Sequence, residues 1–331
     1  MNIEQITLVR TPQGAPIEDD FSVGGASLSA PIKGQALVRV LALSLDPYLR
    51  SAMSSRHLSA AIAPGDVVSG EGLVQVLVSQ HPRMAPGTIW VAACGWRSHA
   101  LLDATTIEQA RPVGPEVQPP TLALGVLGMP GLTAWAGFKK LADARPGDTL
   151  VVSAASGPVG ATVGQLARLA GCRVIGIAGG SEKCAWATGE AGFDACIDYH
   201  VHDLRVELRR HAPSGVDIYF DNVGGNVLMA VCEQLAVGAR VVLCGLIAQY
   251  NGSAPVPLNP ALIIRARATM RGLVVYDHWT QLAEMQVEIG AYVRAGQLRW
   301  REDISHGLSE TPAAFARLMV GRNKGKALVL L

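Results

Sequence analysis

At 331 residues the chain is too long for one small domain and suits two. Apolar residues make up 49% and charged residues 17%, which excludes an intrinsically disordered chain. A formal net charge of +1, with no run of like charges, excludes a nucleic-acid partner recognised through bulk charge, so any polyanion must be caught locally. In chain order, the N-terminal stretch MNIEQITLVRTPQG has no apolar targeting segment and predicts a first strand at Ile6–Arg10. Short β-like runs follow at Ala36–Leu43, Gly72–Val78 and Thr88–Cys94, separated by Pro64-Gly65, Pro86-Gly87 and Pro112. These predict a compact, β-barrel-like domain with few helices. Pro115, Pro119 and Pro120 mark a border.

Beyond about residue 122 the rhythm changes to alternating strands and helices, the mark of a parallel sheet wrapped by helices. Strands are expected at Thr149–Ala155, Arg173–Ala178, Ala195–Asp198, Val216–Asp221, Arg240–Cys244 and Leu273–Tyr276. Helices are expected at Val159–Leu169, Lys183–Ala191, Leu204–His211, Asn226–Leu235 and across Trp279–Ala295. Six strands in this order predict a doubly wound α/β fold. The tail reads as extended at Arg301–Gly307, helical at Pro312–Val320 and extended at Ala327–Leu331, and is expected to pack on the first domain. The expected domains are 1–122 with 298–331, and 123–297 inserted between them.

The charge-free stretch Thr149–Ala167 is long enough to raise the question of a membrane span, but its glycines, serines and proline read as a buried strand–turn–helix. A soluble, cytoplasmic protein without a membrane partner is expected. The six cysteines have no C-x-x-C pair and no histidine at metal-ligand spacing, so no metal is expected and they read as buried small hydrophobes in a reducing compartment.

The segment VVSAASGPVGATVG follows a strand and opens a helix, the context a dinucleotide fingerprint requires. Gly157 and Gly160 stand at fingerprint positions, with Ala154 in place of the usual first glycine. Small residues at Ala154, Gly157, Pro158, Val159 and Gly160 would let the backbone approach a pyrophosphate, and the helix N-terminus offers N–H donors. A tight turn with no ligand is the plainer alternative.

An NAD site normally carries an acidic residue about 20 residues further on, against the ribose hydroxyls. Here the strand runs out into Ile177-Ala178-Gly179-Gly180-Ser181-Glu182-Lys183, with no acid at its tip. A carboxylate would repel a 2′-phosphate, whereas Ser181 and Lys183 beside Gly180 attract one, which predicts NADPH over NADH. Glu182 lies beyond the tip and also reads as a helix cap. Lys183 also reads as an ordinary solvated residue at a helix start.

On these residues, the chain resembles the medium-chain dehydrogenase/reductase superfamily, in particular its zinc-independent branch of leukotriene/prostaglandin reductases and bacterial NADPH-dependent curcumin reductases. The motifs run end to end: SLDPYLR at Ser44–Arg50, GMPGLTAW at Gly128–Trp135, AASGPVG at Ala154–Gly160, GGSEK at Gly179–Lys183, DNVGG at Asp221–Gly225 and GRNKGKALV at Gly321–Val329. The resemblance implies a GroES-like β-barrel domain holding an inserted Rossmann domain. It implies that Met129 and Thr133 line the nicotinamide, that Lys183 and Tyr199 contact the 2′-phosphate, and that Asn222, Gly224 and Asn323 border the cofactor. It places Tyr250 over the active cleft and Tyr48 near the substrate. Zinc-binding relatives carry a cysteine ligand where this chain has Leu45-Asp46-Pro47, and a four-cysteine lobe that is absent here. The family often has tyrosine at the position of Trp135, and Ser51–Pro64 is poor in aromatic and large polar residues compared with its relatives.

The implied reaction is NADP(H)-dependent reduction of the C=C bond of an α,β-unsaturated ketone or aldehyde, by hydride transfer to the β-carbon. The enolate then needs a donor. Tyr250 is the expected donor, though it also reads as a surface-loop tyrosine; Tyr48 is either catalytic or shapes the pocket. Quinone reduction and a catalytically silent NADP-binding protein remain the alternatives. His278, in YDHW, reads as a turn or interface residue before a catalytic one. In the resembling family, apolar runs such as Gly272–Tyr276 pair across a dimer, so a homodimer is expected.

Overall fold

A computed structural model describes residues 1–331 except 56, 57 and 59. The chain divides into two compact units. The first comprises Met1–Leu124, Tyr250–Gly252 and Glu302–Leu331; the second, Gly125–Gln249 and Ser253–Arg301.

The first unit opens with β1 (Asn2–Leu8) paired antiparallel to β2 (Phe21–Ser27). The first strand therefore begins four residues and ends two residues earlier than the expected Ile6–Arg10. Alternate residues Ile6 and Leu8 are buried and Val9 is half exposed, so the apolar character that extended the prediction to Arg10 outlasts the pairing. Then come β3 (Ala36–Ser44), α1 (Tyr48–Ala52), β4 (Glu71–Ser79), β5 (Ile89–Ala93), β6 (His99–Leu102), α2 (Ala104–Gln109) and β7 (Arg111–Pro112).

The second unit carries α3 (Met129–Ala136), β8 (Thr149–Ser153), α4 (Pro158–Leu169), β9 (Arg173–Ala178), α5 (Ser181–Gly189), β10 (Ala195–Asp198), α6 (Leu204–His211) and β11 (Val216–Asp221). It continues with α7 (Gly225–Cys232), β12 (Leu235–Leu243), α8 (Ile247–Tyr250), whose last residue groups with the first unit, α9 (Pro260–Ala266), β13 (Thr269–Gly272) and α10 (Leu282–Arg294). The chain then returns to the first unit as β14 (Glu302–His306), α11 (Thr311–Met319) and β15 (Lys326–Leu330).

The first unit's main sheet has the order β14-β15-β3-β4-β5-β7, with β6 also pairing β3. Its core explains why the C-terminal tail belongs here. Phe315 of α11 packs edge-on to Trp96, with ring centres 5.4 Å apart, and Phe21 of β2 lies 5.4 Å from the same indole. Trp96 and Phe315 are fully buried, and aromatic burial of this kind contributes roughly 0.5–1.5 kcal/mol per pair beyond area.

The second unit is a six-stranded parallel sheet in the order β10-β9-β8-β11-β12-β13. Val151, Ile175, Tyr219 and Val241 fill one side, and consecutive strand residues such as Leu150 and Val152 are equally buried. Helices on both faces explain these continuous apolar runs. The strand order reverses between β8 and β11, which opens a crevice at their carboxyl ends. The doubly wound α/β expectation holds.

The sixth strand differs from the expectation of Leu273–Tyr276. It is Thr269–Gly272, in register with Arg240–Leu243, and Val275–Gln281 turns into a 3-10 helix. An edge strand needs one partner and little burial, so the polar TMRG suffices, while Leu273 turns inward. No helix among the described residues is long and apolar enough to cross a membrane.

Candidate functional site

Four loops at the carboxyl ends of β8, β9, β10 and β11 bring together most of the sequence-predicted residues of the second unit. After β8, Ala154 adopts φ +51°, a conformation that L-residues other than Asn and Asp rarely hold. Its carbonyl accepts from Gly157 N–H at 2.9 Å. A Cβ on Gly157 would lie 3.2 Å from that oxygen, and one on Gly160 only 2.5 Å. Gly160 must therefore be glycine for the turn to close. The helix α4 begins with Pro158 after an N-cap, Gly157, that has no side-chain cap. Its first intrahelical bond is Ala161 N–H to Gly157 O. Pro158 brings no N–H, so the amides of Val159 and Gly160 lie at the helix end, where helix geometry supplies no carbonyl partner. That is a small-residue cradle with donors for a phosphate.

After β9 the chain turns through Gly180 at φ +98° into α5, so Ser181 and half-buried Lys183 stand in the first turn. The Tyr199 hydroxyl overlies this tip: a Cβ on Gly179 would meet it at 2.9 Å. The Tyr199 ring packs edge-on to His200, 4.5 Å between centres, and burial with the neighbouring Asp198 charge pushes its phenol up.

Two carboxylates border the tip. Asp198, which the sequence reading passed over, accepts from Gly180 N–H at 2.9 Å and His200 N–H at 3.0 Å. Burial works to raise its carboxyl, but these amides, with His200 and His202 nearby, outweigh burial and hold it below the usual range. Glu182 pairs with Arg301 at 2.6 Å. Both acids are thus engaged with protein groups. Only the strand position of Asp198, on the neighbour of β9, reveals it, and that position is set by the sheet order.

The β11 loop sets Asn222 and Gly224 opposite the β8 turn. Asn222 Nδ2 donates to Ser153 O at 2.8 Å, and Gly224, at φ +72°, precedes α7. Met129 and Thr133 are half-buried, one turn apart on α3, and Thr133 Oγ1 donates to Met129 O at 2.8 Å. Gly131 between them is obligatory, since a Cβ there would lie 1.9 Å from Val126 O. Trp135, where the family often has tyrosine, is buried and its indole N–H donates to Glu288 at 2.7 Å, with Lys140 4.8 Å above the ring.

Tyr48, Tyr250 and Asn323 belong to the first unit. Tyr48 and Tyr250 are partly buried against the same core. Asn323 Nδ2 donates to Gly325 O at 2.8 Å. In the position of the zinc ligand, Asp46 accepts from buried Lys326 at 2.6 Å and from Ser44 at 2.5 Å. Among the described residues, no three His, Cys, Asp or Glu side chains gather as a metal site. Of the Ser51–Pro64 stretch, Arg56, His57 and Ser59 lie outside the described residues; Ala52 and Met53 are buried, and Ile62 N–H bonds Ala52 O at 3.1 Å. His278 lies in the 3-10 helix Val275–Gln281, where its Nδ1 faces Gln281 Oε1 at 3.3 Å.

Comparison with known proteins identifies the family. The family model described as the N-terminal domain of oxidoreductase matches residues 4–110, and the one described as zinc-binding dehydrogenase matches 158–288. The chain is 39% identical over 330 residues to an NADPH-dependent curcumin reductase of Escherichia coli (strain K12), covering 97% of this chain and 95% of the relative. It is 36% identical over 326 residues to prostaglandin reductase 1 of Oryctolagus cuniculus, covering 97% and 91%. The crystal structure of CurA from Vibrio vulnificus in complex with NADPH superposes with a TM-score of 0.93 at 38% identity, over 99% of this chain and 98% of that one. The chain belongs to the medium-chain dehydrogenase/reductase superfamily, in the zinc-independent branch of curcumin and prostaglandin reductases.

Proposed function

We propose that the protein uses NADPH to reduce the C=C bond of α,β-unsaturated ketones and aldehydes. The observation that carries the cofactor choice is the β9 tip. Gly180 and, in the first turn of α5, Ser181 and Lys183 stand at that tip, which the Tyr199 hydroxyl overlies, while the Asp198 carboxylate accepts from the Gly180 and His200 amides and Glu182 pairs with Arg301. The names of the curcumin and prostaglandin reductases, and the NADPH held by CurA, support the reading.

The bound cofactor supplies the hydride. The Ala154–Gly160 turn, with the amides of Val159 and Gly160 beside Pro158, holds the pyrophosphate. Ser181, Lys183 and Tyr199 hold the 2′-phosphate. Asn222, Gly224 and Asn323 border the cofactor, and Met129 and Thr133 orient the nicotinamide. On the substrate, charge collects on the carbonyl oxygen as the β-carbon is reduced, and a donor aimed at that oxygen stabilises it. The Tyr250 hydroxyl is that donor, Tyr48 shapes the pocket, and solvent protonates the α-carbon. Residues 1–122 with 298–331 form the substrate domain, and 123–297 the dinucleotide domain. The protein works in the cytoplasm as a homodimer. β13 pairs only with β12 among the described strands, and that edge suits a second copy.

A spectrophotometric panel of enones, enals and quinones with NADPH and with NADH tests this on the wild type and Tyr250→Phe. Enones and enals should oxidise NADPH well ahead of NADH, and Tyr250→Phe should lower kcat on the order of 10²-fold. Turnover of quinones without enones sinks the substrate reading; unchanged kcat in Tyr250→Phe removes the donor role.

A further inference from the structure

The ladder between β8 and β11 runs Leu150–Ile218, Val151–Tyr219 and Val152–Phe220, and stops there. The next pair, Ser153 and Asp221, stands at the mouth of the crevice, where the helices leave toward opposite faces. Side chains continue the pairing. Ser153 Oγ donates to Asp221 Oδ1 at 3.0 Å and accepts from Asn222 N–H at 2.9 Å. Asp221 Oδ1 also accepts from the Tyr219 hydroxyl at 2.7 Å and from the amides of Val223 and Gly224 at 3.0 Å. The Asp221 carbonyl accepts from Cys244 N–H at 2.8 Å. Ser153, Tyr219 and Asp221 are fully buried, and every hydrogen-bond donor named here is neutral.

A buried carboxylate held by neutral dipoles is expensive to keep, and removing one donor leaves an acceptor with no water to replace it. The arrangement bears directly on Ala154, the residue after Ser153, whose positive φ persists only if its surroundings over-determine it. Ala154 O is in turn the atom against which Gly157 and Gly160 close. The chain of contacts thus runs from Asp221 through Ser153 to Ala154, and from there to the amides at the start of α4. The same carboxylate fixes Val223 and Gly224.

We propose that Asp221 and Ser153 are positioning residues for the dinucleotide: they set the β8 turn and the β11 loop at one spacing, and through that spacing control pyrophosphate affinity. The proposal rests on the cofactor reading above. It concerns the part common to NADPH and NADH, so its signature differs from that of a 2′-phosphate contact.

The test is dissociation constants for NADPH and NADH, by nicotinamide fluorescence, on the wild type, Ser153→Ala, Ser153→Thr and Asp221→Asn. Ser153→Ala should weaken both cofactors by the same factor, about 3- to 10-fold, with their ratio unchanged. Ser153→Thr, which keeps the hydroxyl, should restore most of the affinity. Asp221→Asn, if it folds, should weaken both at least as much; Ser153→Ala decides the matter if it does not. A Ser153→Ala protein with a lowered Tm but both constants within twofold of wild type overturns the proposal, as does a change confined to NADPH. Failure of the wild type to bind either cofactor overturns the underlying reading instead.

Discussion

Glu182 and Lys183 are sequence neighbours with opposite charge at the edge of a site that must tell one phosphate from a hydroxyl. Pairing Glu182 with Arg301 removes the repulsion that Glu182 would exert on a 2′-phosphate. A charge-assisted bond from Lys183 to that phosphate contributes about 1.5–3 kcal/mol. Lys183→Ala should therefore weaken NADPH about 10- to 150-fold and leave NADH nearly unchanged, as read by titration. The cysteines make a second residue-scale contrast. Burial pushes Cys94, Cys232 and Cys244 up to about 12 and Cys172 to about 11. A hydrogen bond from Cys196 pulls the Cys184 thiol down, and Cys196 is raised in exchange. The thiolate is the reactive form, so at mildly alkaline pH iodoacetamide should label Cys184 first, checked by peptide mass mapping. Earlier labelling of Cys172 or Cys244 would contradict this.

At the scale of elements, the β8 turn is the most sharply constrained piece. Gly160 packs on the Ala154 carbonyl, which is backbone and cannot swing aside. Gly160→Ala should cost about 1–3 kcal/mol of stability, as overpacking does, and reduce NADPH affinity at least 10-fold, both measurable on one preparation. The central strands Arg173–Ala178 and Val216–Asp221 were legible because they are buried on both faces, and the edge strand Ala195–Asp198 because it too is largely buried; all three fall where the apolar runs place them. The other edge strand was not. Thr269–Gly272 is mostly exposed and mixed in polarity, and only its ladder to β12 makes it a strand. Trp135 is a similar lesson: its departure from tyrosine acquires a meaning from the bond to Glu288, a residue 153 positions away.

At the scale of the whole molecule, an exposed sheet edge is a place where a second copy can pair. The edge is Thr269–Gly272 and not the apolar run after it. Light scattering at micromolar concentration should give about twice the 34.8 kDa chain mass. Arg271→Pro, which removes a backbone donor from that strand, should shift the mass toward the monomer; an unchanged monomeric mass in the wild type would refute the dimer. The sequence by itself determined the alternation of strands and helices, the small-residue turn after β8 and the acid-free end of β9, because periodicity and residue size act locally. The tertiary structure alone decided where Asp198 and Glu182 spend their charge, that Phe315 completes the core begun by Phe21 and Trp96, and that Ser153 meets Asp221. Those depend on sheet order and on partners separated in sequence, by 18 positions for Gly180 and Asp198 and by 119 for Glu182 and Arg301, to which no local pattern refers; the last, between residues 68 positions apart, holds the turn through which the sequence first announced a dinucleotide.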